Sequence, residues 1–255
     1  MLFCLLLLPI MGQVVGSAVI YTTPSAEGGG SNTFLTNLSS FWKLNEASGT
    51  LYDSHGDNDM TAYNTPTYSQ TGMGLGDAIL FARASSQYLQ CTDHASLDIY
   101  DQDVSACAWI YFSSIPASGQ HHTVIGGGST AFGMGLTSDG TNMQFRIWSV
   151  GSLPGTLSTA TLSTGAWHFV AVSFDNSETT NNCTYYIDGT AETITFDQTF
   201  GSGYESTVIG ARRSTSDFFD GLICQVAIWK GRLMTEDEWD DIYNSGNGLA
   251  YESYE

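Results

Sequence analysis

Val104-Ser105-Ala106-Cys107-Ala108-Trp109-Ile110-Tyr111-Phe112 is a nine-residue stretch with no charge, no Gly and no Pro. Its side chains alternate so that Ala106, Ala108, Ile110 and Phe112 fall on one side, the period of two that marks a β-strand rather than a helix. A second stretch, Trp167-His168-Phe169-Val170-Ala171-Val172-Ser173-Phe174, has the same character, and its Phe169, Ala171 and Ser173 read as inward-facing. Shorter runs of the same kind lie at 41–44, 78–81, 87–91, 123–125, 132–137, 143–148, 183–187, 193–196, 207–209 and 222–229, separated by Gly, Asn, Asp and Ser. That many short strands overfill a small barrel, so the pattern predicts an all-β fold of two packed antiparallel sheets, a sandwich. The chain shows no repeat of the length that builds solenoids or propellers.

One helix interrupts the pattern. Thr235-Glu236-Asp237-Glu238 is a capping box whose acids oppose the positive end of the helix dipole. The helix is expected to run to about Asn244, with Gly246 as its stop, and to dock through Trp239, Ile242 and Tyr243.

Charge narrows the partners. Seven Lys and Arg against 26 Asp and Glu give a net charge of −19, which leaves no counterion-release drive toward nucleic acid and disfavours anionic membranes. With 42% hydrophobic residues the chain can still build a core. The N-terminus is apolar over residues 2–11 and is followed by Gly16-Ser17-Ala18, so residues 1–18 read as a secretory signal. Against that stand the absence of Lys or Arg ahead of the run, and the alternatives of an upstream start or an apolar docking segment. Pro9, Gly12, Gln13 and Gly16 make it too short for a membrane span. Residues 19–33, with their Gly triplet, read as a flexible linker, and the folded domain is placed at 34–255. Cys91, Cys107, Cys183 and Cys224 lack zinc spacing and read equally as buried thiols or as disulfides. Asn37 and Asn182 head N-glycosylation sequons.

Several segments resemble the concanavalin A-like lectin/glucanase superfamily, in its laminin G-like jelly-roll branch. They are Phe41-Trp42-Lys43-Leu44 with Asp53-Ser54-His55-Gly56-Asp57-Asn58, then Val104–Ile110, Gly165–Val172, Tyr185-Tyr186-Ile187-Asp188-Gly189, and Phe219-Asp220-Gly221 leading through Trp229 into the capped helix. The resemblance implies a jelly-roll sandwich whose first and last strands pair, which brings the 53–59 loop near the chain's end. Family members serve as sugar-binding modules, adhesion domains, enzyme accessory domains and virion surface parts.

Three chemistries compete. Asp53, Asp57, Asn58 and Asp59 concentrate oxygens suited to Ca2+, although the family's Asp after the last Gly-x-Ile is here Cys224. Hydrolysis by a retaining mechanism needs two carboxylates on one strand, and no Glu-x-Asp-x-x-Glu occurs; the acid run 236–241 belongs to the helix, and His168 reads as structural. Glycan binding needs an aromatic platform with planar polar groups on loops: Arg146 with Trp148, and Arg212, Arg213 and Asp217, supply them, with His121 and His122 on the rim. The sequence therefore predicts a non-catalytic, secreted or surface-displayed module that binds a glycan or glycoprotein surface. A virion surface component, attached through its N-terminal segment, is the alternative.

Overall fold

The computed structural model describes residues 34–127, 132–149, 156–198, 200–201, 206–213 and 216–254. The expected signal (1–18) and linker (19–33) lie outside the described residues. Two antiparallel sheets form a jelly-roll sandwich. The first runs in the order β13 (Thr190–Ile194), β12 (Cys183–Ile187), β11 (Trp167–Phe174), β6 (Val104–Tyr111), β15 (Gly221–Lys230), β4 (Asp77–Phe81), β3 (Thr67–Thr71), with β1 (Leu38–Trp42) also paired to β15. The second runs β10 (Thr161–Leu162), β9 (Met143–Ser149), β8 (Phe132–Ser138), β7 (His121–Gly126), β14 (Val208–Ile209), β5 (Tyr88–Gln90), β2 (Thr61–Tyr63).

The first and last strands do pair. β15 divides its length: Gly221–Ile223 bond β4, the register slips between Cys224 and Ala227, and Val226–Trp229 bond β1. Gln225, at the slip, has left-handed backbone (φ 51°), as a bulge that re-aims a strand requires.

The eight-stranded sheet is buried on both faces, and this corrects one expectation. Ala106, Ala108, Ile110 and Phe112 do face the sandwich core, together with Phe81, Leu136, Phe145 and Ile223. Their partners across β11, however, are Val170 and Val172, while Phe169 pairs with Trp109 and Ala171 with Cys107 on the opposite face. That outer face is a second apolar cluster roofed by Trp239 and Ile242 of α1 (Glu236–Tyr243) and by Tyr254. With both faces covered, alternation between apolar types cannot say which side is inward.

The helix is capped as expected: Thr235 Oγ1 accepts from the Glu238 amide at 3.3 Å, and Glu238 Oε2 accepts from the Thr235 amide at 2.8 Å. Its stop comes earlier than Gly246, at Asn244 in left-handed backbone (φ 49°), a conformation Asn tolerates. Two serines seat its lead-in. Ser105 Oγ donates to the Arg232 carbonyl (2.9 Å) and Ser173 Oγ to the Met234 carbonyl (2.7 Å), so Ser173 belongs to the helix interface. Cys91, Cys107, Cys183 and Cys224 are all free and buried, and Cys224 is pushed up by burial to about 12. Asn182 is buried, its side chain bridging Glu178 and Phe196, whereas Asn37 is exposed. No helix among the described residues is long and apolar enough to cross a membrane.

Candidate functional site

The acidic 53–59 loop is held by its own backbone. Asp53 Oδ1 accepts from the amides of Phe41 (2.9 Å) and His55 (3.0 Å), and Oδ2 from the amide of Asn58 (3.2 Å). Asp59 Oδ1 accepts from the Asp53 amide (2.9 Å), and Asn58 Nδ2 donates to Ser40 and Ser96. Gly56 is packed so closely that a Cβ there would lie 2.8 Å from the Ser39 carbonyl oxygen. The loop does sit beside the chain's end, with His55 Nδ1 3.2 Å from the Tyr251 hydroxyl. Asp57 and Asp59 are exposed, and Asn58 Oδ1 is buried without a donor. The Asp53 oxygens and Asp59 Oδ1 are thus engaged by backbone amides, and no set of three or more His, Cys, Asp or Glu that could hold a metal occurs among the described residues.

Most of the expected ligand-binding residues gather on the face of the seven-stranded sheet turned away from the core. On β9, Met143, Phe145 and Ile147 point into the core, which sends Gln144, Arg146 and Trp148 outward. Across the ladder they meet Thr137, Gly135 and Gly133 of β8, and Thr137 meets His121 at the start of β7. The Trp148 ring lies over bare backbone: a Cβ on Gly133 would come within 2.4 Å of its Nε1. The Arg146 guanidinium stands 5.6 Å from that ring's centroid, and its Nη2 is 3.3 Å from His121 Nδ1, which is also 3.0 Å from Thr137 Oγ1. An arginine can only donate, so Nδ1 accepts and the His121 proton sits on Nε2. Burial, then the Arg146 charge, hold His121 below the ordinary imidazole range against the opposing pull of Asp217.

The turn between β14 and β15 completes the site. Arg212 and Ser216 bridge its two sides, Arg212 Nη1 pairs with Asp217 Oδ2 at 3.3 Å, and the Asp217 carbonyl accepts from the Thr123 amide at 3.1 Å, pinning the turn to β7. Arg83, just after β4, ties the surrounding loops together. Its Nε donates to the Phe218 carbonyl (3.0 Å), its Nη1 to Gln120 Oε1 and its Nη2 to the His121 carbonyl. Arg83, Gly119, Gln120, His121, Asp217 and Phe218 enclose an open cleft of about 390 Å³. An aromatic strip continues from it: the Tyr88 ring lies 6.4 Å from Phe218 and stacks on Tyr63 at 4.8 Å, nearly parallel. Arg83, Gln120, Phe218, Tyr88 and Tyr63 were not singled out in the sequence. The Tyr88-centred alternation at 87–91 was their only visible trace.

Three expected residues are placed otherwise. His122 is not on the rim, because it is one strand position from His121 and so points inward, 1% exposed between Phe112 and Phe219. Trp148 is 1% exposed, so its ring offers no open face to a sugar. Arg213 follows Arg212 in left-handed backbone (φ 59°) and does not line the cleft.

A second polar cluster has the composition of a nucleophile triad. His168 Nδ1 lies 2.6 Å from Asp188 Oδ2, and its Nε2 lies 3.3 Å from Ser163 Oγ. Nε2 is closer, at 2.9 Å, to the Ser163 carbonyl oxygen, which can only accept. Both ring nitrogens therefore donate, and a base whose lone pair is already protonated cannot activate a serine. Asp188 Oδ1 also accepts from the Phe169 amide (2.8 Å), so the cluster clasps the 188–189 turn to β11.

Comparison with known proteins agrees with this architecture. No curated protein matches the chain. Among solved structures, domain 4 of AbnA, an extracellular arabinanase from Geobacillus stearothermophilus in complex with arabinotriose, is 20% identical with a TM-score of 0.58, covering 84% of this chain and 98% of that one. The binding domain of Paraclostridial Mosquitocidal Protein 1 is 15% identical (TM-score 0.61), with 84% of this chain and 53% of that one covered. Trypanosoma rangeli sialidase in complex with sialic acid is 14% identical (TM-score 0.61), covering 85% of this chain but 34% of the sialidase. At these identities the likeness is one of fold. A family model, described as Concanavalin A-like lectin/glucanases superfamily, matches residues 83–238, and the chain belongs to that superfamily.

Proposed function

We propose that this protein is a non-catalytic glycan-binding module that works outside the cell, with its ligand seated in the cleft between Arg83, Gln120, His121 and Phe218. The observation that carries this reading is the meeting, in one open cleft, of an aromatic edge with planar hydrogen-bonding groups on loops that the Arg83 hydrogen bonds hold together. Sugars are held in that way: apolar ring faces lie on aromatic side chains while hydroxyls bond to polar groups whose positions are already set. Phe218 and Tyr88 supply the apolar contact, and Gln120 and the His121 Nε2 proton supply hydrogen bonds. The complex of domain 4 of AbnA with arabinotriose, a domain that the likeness covers almost entirely, supports the choice of ligand class. Asp217 is the one carboxylate among the residues lining the cleft, and a retaining glycosidase works with two at roughly 5–5.5 Å.

A glycan array probed with the wild type and with Phe218→Ala tests the reading. Hits that disappear in the variant support it. Hits that the variant keeps would move the site elsewhere, and an array without hits, or release of reducing sugar from a glucan panel, would refute the function. N-terminal sequencing of the mature protein tests the location, since a start near Val19 means export.

A further inference from the structure

Among the described residues the exposed large hydrophobics are Tyr52, Tyr63, Tyr100 and Leu233. Of these, Tyr63 alone stacks on another ring. Its place follows from the strand register. Tyr63 on β2 lies directly opposite Tyr88 on β5, and their neighbours Ala62 and Leu89 pack into the core, so both tyrosines project from the outer face of the seven-stranded sheet. The Tyr88 ring in turn lies 6.4 Å from Phe218, a wall of the cleft. The row Phe218, Tyr88, Tyr63 thus leads from the cleft to the edge strand of the sheet.

That row is braced. Asn64 Nδ2 donates to the Ser86 carbonyl (2.6 Å), Gln87 Nε2 donates to the Thr65 carbonyl (2.8 Å), and Gln87 Oε1 accepts from the Ala82 amide (2.7 Å). The residues after Tyr63 are therefore tied to those before Tyr88. Asn64, Thr65 and Ser86 all hold left-handed backbone (φ 58°, 55° and 53°), which residues other than glycine keep only where their surroundings enforce it. At the end of this row Tyr63 is 41% exposed. Beside the two rings, on the same outer face, Thr61 stands opposite Gln90, so a hydroxyl and an amide accompany the aromatic surface. β2 is only three residues long, an edge too short to template a partner strand, which favours an occupant held by ring contacts.

Resting on the glycan reading above, we infer that the ligand is a run of oligosaccharide, one sugar seated in the cleft and its neighbours laid over Tyr88 and Tyr63, rather than a single terminal residue. A one-residue ligand fills the cleft and leaves the braced tyrosines uncovered. A chain covers them and buries the apolar area of each ring it meets.

The experiment uses an array of length ladders, monomer to hexamer, of arabinan, xylan, galactan and cello-oligosaccharides, probed with the full chain. Affinity for the bound ladder is expected to rise at least about tenfold from dimer to tetramer, the order that burying one aromatic ring supplies, and then to level off. Tyr63→Ala is expected to abolish that rise while keeping the binding of the short members, and Tyr63→Phe, which keeps the ring, to retain it. Circular dichroism confirms that both variants fold. Equal affinity at every length, or a rise that Tyr63→Ala leaves unchanged, would overturn the chain reading while leaving glycan binding intact. Self-association that Tyr63→Ala breaks in sedimentation would overturn it too, because a second copy then covers the row. Binding of no ladder overturns the chain reading, and a general glycan array without hits takes the glycan reading with it.

Discussion

Replacing Asp53 with Ala removes the acceptor of three backbone amides at once, those of Phe41, His55 and Asn58. The first and last of these are buried. A buried donor left unpaired costs about 1–3 kcal/mol. Two such donors, with a smaller share for the partly exposed His55, come to a loss of about 3–4 kcal/mol. Against a total stability of about 5–15 kcal/mol that is a large fraction, visible as a lower urea midpoint at unchanged slope. Asp53→Asn keeps one oxygen, so Phe41 and His55 stay served and only Asn58 loses its acceptor, for about 1–2 kcal/mol. Urea titration followed by tryptophan fluorescence, run in EDTA and again in millimolar Ca2+, measures both. A loss below about 1 kcal/mol for Asp53→Ala would refute the amide-clasp account. So would a wild type that gains several kcal/mol from Ca2+, because an ion bound there needs the oxygens that the amides occupy.

Other outcomes follow from the same structure. Trp239→Ala empties the centre of the outer cluster and removes the Nε1 donor to Ser173 (3.1 Å); it should cost about 3–5 kcal/mol by denaturant titration, and Trp239→Phe about 1 kcal/mol. His122 is pushed down by burial to about 3, so the unfolded chain binds its proton first as pH falls below about 6.5, and up to about 4–5 kcal/mol is lost by pH 3. His122→Leu should therefore stay folded to lower pH in an acid titration. For His168 burial pulls downward, but the Asp188 hydrogen bond and charge and the Ser163 carbonyl together raise it. Its contribution is complete below about 6.5 and fades as pH rises through the elevated folded value, so the stability gap between wild type and His168→Gln should narrow in thermal melts from pH 6 to pH 8.

Strands with a buried face were legible in the sequence, and strands without one were not. β6, β11 and β15 carry eight, eight and ten residues of apolar character. β2, β3 and β10 have largely exposed side chains, and lie at or beside sheet edges, where pairing with a neighbour rather than hydrophobic pattern makes the strand. The Phe169–Ser173 face was misread because the helix and the Tyr254 segment cover what a one-layer pattern leaves open. At the site, local chemistry pointed to Arg146, Arg212, Asp217 and His121, which the fold brings together. Arg83 and Phe218 are 135 residues apart in sequence, and only closure of the sandwich makes them neighbours. His122 shows how sharply a strand discriminates, since one step along β7 exchanges cleft for core.

The described chain enters at Phe34 and ends near Tyr254, whose rings touch at 5.4 Å, with the Phe34 carbonyl held by Trp229 Nε1 at 2.7 Å. Both ends thus lie on the outer side of the eight-stranded sheet beside Trp229, near the end of β15, whereas Phe218 and the Arg83 cleft lie ahead of the start of that strand. A fusion partner, bead or stalk joined at either end would hold the module by that side and leave the cleft uncovered. A short bridge between the two ends would also let new termini be opened in the 139–142 turn without unthreading either layer.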